Sequence, residues 1–314
     1  MTNPPTLLGH DPLIEAELPI IHLVLNTDCN AWQLTAASGS PGVCRFCYRE
    51  RNRVQADRET VLRVLDVLRA ESAAHRVVFA GGDPMMPYDN HLESAVRHAS
   101  ELGFAANLHT NGLLRQERFD GLREWVDVYS LAIDGPDAQV ADWFRGEGYF
   151  DRFTANVAML AGHGKTLAFN TFTAANSIGR LAETAAMIRS IGQRTPVEYW
   201  LISQYRPIGR SDARKADIYG FTPDEFRAAV AAIRADMDRI QIFEQPTRAE
   251  TDPYPFRAWV LADGRVTVDL GSVASPRNEA LGNLLEAGLA PLIRRSHALR
   301  NNEFDRSVLT GSAP

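Results

Sequence analysis

Apolar residues follow two rhythms along this chain. Short apolar runs occur at PIIHLVLN (19–26), RVVFAG (76–81), FAANLHT (104–110), DVYSLAID (127–134), LAFNTFT (167–173) and VEYWLIS (197–203). Runs of this length, rich in Val, Ile, Phe and Tyr, predict buried strands. Between most of them the apolar spacing changes to three and four, in ETVLRVLDVLRA, HLESAVRHASEL, FDRFTANVAMLAG and RLAETAAMIRSI. That spacing predicts amphipathic helices. TPDEFRAAVAAIRADM (222–237) opens on a Thr-Pro-Asp-Glu start signal and predicts another. Six strands, each followed by a crossover, predict an α/β protein with a parallel sheet.

The rhythm changes after about residue 240. QIFEQ, FRAWVLA and RVTVDL read as short strands, the last two joined by the hairpin signal Asp263-Gly264, and a helix follows near 283–294. The expected organisation is an N-terminal extension (1–18), a β/α barrel (19–238) and a small C-terminal α+β appendage (239–314). With so short an extension, no peptide-leader-binding domain is expected ahead of the barrel.

The net charge of −6 provides no global basic field for holding nucleic acid. No apolar run reaches membrane-spanning length, and the N-terminus lacks a basic start followed by an apolar stretch. The expectation is a cytoplasmic protein with no membrane partner.

The three cysteines, Cys29, Cys44 and Cys47, all fall in one window directly after the first strand. An odd, clustered set in a reducing compartment points to metal ligation rather than a disulfide. In parallel β/α barrels such a loop lies at the C-terminal rim, where chemistry is placed. Three thiolates leave a tetrahedral centre one ligand short. His22 or His10 would complete a structural zinc site. Alternatively, a [4Fe–4S] cluster held by three cysteines keeps one iron for a small molecule.

The spacing Cys29-x14-Cys44-x2-Cys47, with Phe46 before the last cysteine, resembles a variant of the cluster motif of the radical S-adenosylmethionine (SAM) superfamily. The commoner form is Cys-x3-Cys-x-aromatic-Cys, and an enlarged first gap is known in some 7-carboxy-7-deazaguanine synthases. Further segments match in order. Gly81-Gly82-Asp83-Pro84 is similar to the Gly-Gly-Glu-Pro that meets the SAM amino group, with Asp in place of Glu. Glycines suit a place where backbone must come close to a ligand. His109-Thr110-Asn111-Gly112 and the strand carrying Ser130 match the next two strand ends. Arg145, in Phe144-Arg145-Gly146, matches the arginine that pairs with the SAM carboxylate, for which a guanidinium fork is suited. Asn170 and Thr171 match the ribose region, and Leu201 and Ile202 the backbone beside adenine.

The resemblance implies a partial parallel (β/α)6 TIM-like barrel with one [4Fe–4S] cluster on Cys29, Cys44 and Cys47. Bound SAM would be cleaved reductively to a 5′-deoxyadenosyl radical that abstracts hydrogen from a substrate. An external reductant, flavodoxin or ferredoxin, is implied. The C-terminal segment resembles a SPASM or twitch segment without its auxiliary-cluster cysteines, and Asp269 stands about where one often sits. Substrate must then be held by side chains. Candidates are Tyr205 and Arg206, with Gln204, Arg210, Glu244, Arg248 and Asp269 around them. The expected substrate is a small polar metabolite, such as a nucleoside, nucleotide or sugar of a natural-product pathway. The alternatives are a ribosomal-peptide maturase, a 7-carboxy-7-deazaguanine synthase-like enzyme and a non-catalytic scaffold around a structural metal.

Overall fold

A computed structural model describes residues 20–34, 44, 46–47, 54, 56–205, 219–245, 258–271 and 276–309. Six strands follow the apolar runs closely: β1 (Ile20–Asn26), β2 (Arg76–Gly81), β3 (Ala105–Thr110), β4 (Val128–Ala132), β5 (Thr166–Thr173) and β6 (Val197–Gln204). Each pairs in parallel with the next, in sequence order. The sheet curls into a partial barrel with helices on its outer face.

The helices between them form for local reasons. In α1 (Arg58–Glu71), Asp57 accepts from Thr60 N at 2.8 Å. Val61, Val64, Leu65 and Leu68 make its buried stripe. Each such side chain contributes about 1.5–3 kcal/mol by leaving water. The next helices are α2 (Leu92–Glu101), α3 (Gln116–Leu122), α4 (Ala138–Arg145), α5 (Tyr149–Gly162) and α6 (Leu181–Gly192). The sequence pattern misses α3 and α4, which are only seven and eight residues long. In α7 (Pro223–Arg234), Thr222 and Glu225 form a reciprocal capping box, as the start signal predicts.

The sheet does not stop at the boundary expected near residue 239. β7 (Gln241–Gln245) pairs in parallel with β6, and β8 (Ala258–Leu261) pairs in parallel with the far side of β1. The parallel order is therefore β8-β1-β2-β3-β4-β5-β6-β7, two strands more than the six expected. β8 turns through Asp263-Gly264 into β9 (Arg265–Gly271), which pairs antiparallel with β10 (Pro276–Asn283). Two helices, α8 (Leu284–Ala287) and α9 (Leu289–Leu309), close the described chain. No helix among the described residues is long and apolar enough to cross a membrane.

Strand alternation separates two environments. Leu23, Phe79, Leu108, Tyr129, Phe169 and Trp200 point outward into the helix-covered core. Their neighbours face the lumen. At its N-terminal end, Arg76 on β2 reaches Glu198 on β6 at 2.6 Å and straps the base. His22, the candidate fourth zinc ligand, packs against Trp259, with ring centroids 5.2 Å apart.

Candidate active site

The C-terminal ends of β1, β2 and β3 are tied together by side-chain amides. Asn26 donates to Asp28 O at 2.7 Å and Asp83 O at 3.0 Å, and accepts from Asn90 at 2.7 Å. Asn30, fully buried just after Cys29, donates to Met85 O and Leu113 O, each at 3.2 Å. Its oxygen accepts from Asn111 Nδ2 at 2.6 Å, and the same Nδ2 lies 3.6 Å from Cys29 Sγ. Cys29 is therefore fixed by neighbours from β2 and β3.

Gly81 and Gly82 are required by the protein's own packing. A Cβ on Gly82 would lie 1.9 Å from Asp28 O and 2.3 Å from Thr27 O; one on Gly81 would lie 2.1 Å from Asn26 O. The close approach is thus to the chain leading into Cys29. It lets Gly82 N donate to Asn26 O and Asp83 N to Asp28 O, both at 2.8 Å. Gly82→Ala is expected to cost about 3 kcal/mol or more, because backbone rather than a flexible side chain must yield. Chemical denaturation of the metal-free protein measures it; a loss below about 0.5 kcal/mol would contradict this packing.

The Asp83 carboxylate is a latch between the GGDP and TNG segments. It accepts from Met85 N at 2.9 Å, Asn111 N at 2.7 Å and the Thr110 hydroxyl at 3.0 Å. Burial pushes its pKa up to about 6, against the opposing pull of those donors. Pro84 is buried and its carbonyl accepts from Asn90 at 2.9 Å. Met85 and Met86 are core filler. Arg118 on α3 secures the following loop through Glu93, Asn90 and the carbonyls of Met86 and Tyr88.

A second group centres on Arg145 at the end of α4. Its Nε donates to Asp134, and its Nη1 lies 3.7 Å from Cys44 Sγ. Asp134 also accepts from Phe172 N at 2.9 Å. The guanidinium sits over the rings of Phe46 (5.2 Å) and Tyr149 (5.1 Å). Phe46 stacks on Phe172 at 4.0 Å and meets Phe144 edge-on. The Tyr149 hydroxyl lies 2.7 Å from Asn111 O and 2.6 Å from Ala132 O, bridging the two groups.

The thiols are close enough to influence one another. Burial, then Asp83, Cys44 and Cys47, push Cys29 up to about 12. Burial raises Cys44 to about 11, with Arg145 opposing. Among the described residues no three His, Cys, Asp or Glu are gathered tightly enough to hold a single metal ion.

The other expected residues fall elsewhere. Ser130 and Asn170 are hydrogen-bonded to each other at 2.5 Å in the lumen. Leu201 is half-buried on the lumen side, whereas the Ile202 side chain belongs to the outer core. Tyr205 is buried in an aromatic cluster with Phe172 and Tyr219. Glu244 pairs with Arg234 at 3.3 Å. Arg206, Arg210 and Arg248 lie outside the described residues, as do His10 and the Asp269 side chain. Asp137 caps α4 through Val140 N. Asp134 is the buried partner of Arg145. Asn26, Asn30, Arg118 and Tyr149 gave no sequence signal, because their partners lie on other strands.

The family description Radical SAM superfamily matches residues 37–189. Over that stretch the chain is similar to the radical SAM superfamily, a class of enzymes that use a [4Fe–4S] cluster and SAM. An AdoMet-dependent heme synthase of Oleidesulfovibrio alaskensis is 29% identical over 153 residues, covering 48% of this chain and 37% of that protein. A second, from Nitratidesulfovibrio vulgaris, is 28% identical over 43% of this chain and 37% of its own length. The match spans little more than a third of these relatives. Among solved structures, anSMEcpe with bound AdoMet and the Kp18Cys peptide superposes with a TM-score of 0.65 at 13% identity, covering 90% of this chain and 82% of that one. SuiB of Streptococcus suis bound to precursor peptide SuiA gives 0.64 at 12% identity, over 86% of this chain and 64% of that one. At these identities the likeness is one of fold.

Proposed function

We propose that this protein is a radical SAM enzyme acting on a small polar metabolite, such as a nucleoside, nucleotide or sugar. The observation that carries the first half is the position of Cys29, Cys44 and Cys47 at the C-terminal rim, with Asn111 and Arg145 against two of the sulfurs. Three thiols on one rim loop suit a [4Fe–4S] cluster, in which each thiolate takes its own iron and one iron stays open for a small molecule. Cys29, Cys44 and Cys47 would hold a [4Fe–4S] cluster and leave one iron for the amino-acid end of SAM. When bound, cluster and SAM together supply a carbon radical that removes hydrogen from substrate.

The chain's own residues bind and shield. Asp83 fixes the backbone of the GGDP segment, where the SAM amino group would be met. Arg145 retains its Nη2 protons after bonding Asp134 and approaching Cys44, so it can still take a carboxylate. Phe46, Phe144 and Phe172 exclude water on that side. With every cysteine in the rim loop, no thiolate remains for an auxiliary cluster, and substrate contacts must come from side chains. The reductant would be a flavodoxin or ferredoxin.

A second reading, maturation of a ribosomal peptide, draws support from the peptides named in the two structural neighbours. Anaerobic reconstitution followed by dithionite and SAM tests the core reading. About four irons per chain and formation of 5′-deoxyadenosine by mass spectrometry are expected. Zinc without iron would return the chain to the structural-metal alternative. Stimulation of turnover by a peptide fraction, and none by small metabolites, would favour the second reading.

A further inference from the structure

Asn111, just after β3, stands between two acidic groups. Its backbone N donates to Asp83 Oδ2 at 2.7 Å, and its side-chain Nδ2 lies 3.6 Å from Cys29 Sγ, within hydrogen-bonding reach of the larger sulfur atom. Backbone groups decide which end of the amide faces the sulfur. Met85 O and Leu113 O can only accept, so the Asn30 atom 3.2 Å from each is Nδ2, which spends both its hydrogens on them. Asn30 therefore turns Oδ1 towards Asn111, whose Nδ2 donates to it at 2.6 Å. Leu113 N can only donate, so the Asn111 atom 2.9 Å from it is Oδ1. These two locks agree. Nδ2 of Asn111 gives one hydrogen to Asn30 and has the other for Cys29. Asn30 is fully buried and Asn111 is 8% exposed, so water hardly competes for either amide.

The position of this donor has an electrostatic consequence. The Asp83 carboxylate is 1% exposed and, after burial itself, is the next cause pushing the Cys29 thiol up. Reduction of a cluster held by Cys29 adds one more negative charge beside that carboxylate. A hydrogen bond strengthens as negative charge grows on its acceptor. The Asn111 N–H therefore favours the reduced form over the oxidised one, and hydrogen bonds to cluster sulfurs are among the groups that set the potential. Arg145 is the other donor against a ligand sulfur, but Asp134 holds its Nε and offsets its charge. Asn111 is neutral, and its dipole needs no such counter-charge.

We propose that Asn111 gives Cys29 an N–H···S hydrogen bond that raises the reduction potential of the cluster, and that Asn30 is the positioning residue that aims it. The inference deepens the proposed function and rests on its cluster reading. It concerns the ease of the electron-transfer step, not the binding of SAM.

The experiment is a redox titration of the anaerobically reconstituted full chain without SAM, followed by EPR of the reduced cluster. Asn111→Leu is expected to shift the one-electron reduction equilibrium roughly tenfold towards the oxidised form, a potential about 59 mV more negative. Asn30→Leu keeps the donor but loses its aim, so a shift of roughly two- to fivefold in the same direction is expected. A shift in Asn111→Leu alone overturns the positioning role of Asn30. No shift in Asn111→Leu, or a shift to higher potential, overturns the whole proposal.

Both substitutions strand buried backbone groups, so the wild-type chain supplies a second measurement should either variant fail to fold. With asparagine labelled at its side-chain amide with 15N, pulsed EPR of the reduced wild-type cluster is expected to show a 15N coupling carried through the hydrogen bond. No coupling overturns the proposal. A wild-type chain that loads no iron fails the cluster reading instead, whereas about four irons with neither a coupling nor a shifted potential fails this inference alone.

Discussion

Cys44→Ala is expected to abolish both iron loading and 5′-deoxyadenosine formation while leaving the fold intact. The three thiols are half-buried on the rim, and alanine removes a ligand without opening a core cavity. Cys44 has the strongest local claim, because Arg145 Nη1 lies 3.7 Å from its sulfur. That contact favours the thiolate against the burial that raises its pKa. Cys29→Ala and Cys47→Ala should behave alike, since a three-cysteine cluster has no spare ligand. The measurements are iron per chain after anaerobic reconstitution, product by mass spectrometry, and far-ultraviolet circular dichroism as the fold control. A single variant with wild-type iron and wild-type turnover would refute the ligand assignment.

The second large effect lies at the buried ion pair. Asp134 is 1% exposed and Arg145 8%. Removing one partner strands the other charge, which costs about 3–5 kcal/mol. Asp134→Ala should therefore lower stability by that amount in chemical denaturation, and it also leaves Phe172 N without its acceptor. The double variant Asp134→Asn/Arg145→Gln should lose clearly less than the sum of its single variants, because no charge is then buried alone. Strict additivity would show that the pair is not coupled. The pairing also changes how Arg145→Ala is read. That substitution removes a proposed SAM contact and strands Asp134 together, so weaker SAM binding alone would not separate the two. Arg145→Lys keeps the charge but loses the planar fork. It should retain most of the stability while weakening SAM binding.

The six central strands were legible because each is a compact apolar run between helical spacings. Which strands become neighbours later in the chain was not. QIFEQ reads as a short strand, but only the register with β6 shows that it extends the parallel sheet. FRAWVLA likewise gives no sign of pairing with β1 rather than only with its hairpin partner. β10 was missed altogether, since PRNEALGN lacks alternation and is rich in poor strand formers. At the site, the cysteines and the GGDP, TNG and FRG segments could be read because they are contiguous. Asp134 gave no sequence signal of its own, because its role depends on Arg145 arriving from α4. The glycine pair was read as making room for a ligand, whereas the crowding it relieves in the structure is that of the protein's own Asn26–Asp28 backbone.

The amide web around Cys29 has a consequence for how the enzyme is made. Asn26, Asn30, Asp83, Asn90, Asn111 and the carbonyls they hold all lie between residues 26 and 113, as do all three cysteines. The thiols and their scaffolding therefore belong to one contiguous stretch of sequence, which leaves the ribosome before Asp134 and Arg145 do. A nascent chain thus carries every proposed iron ligand before it carries the buried ion pair that flanks them.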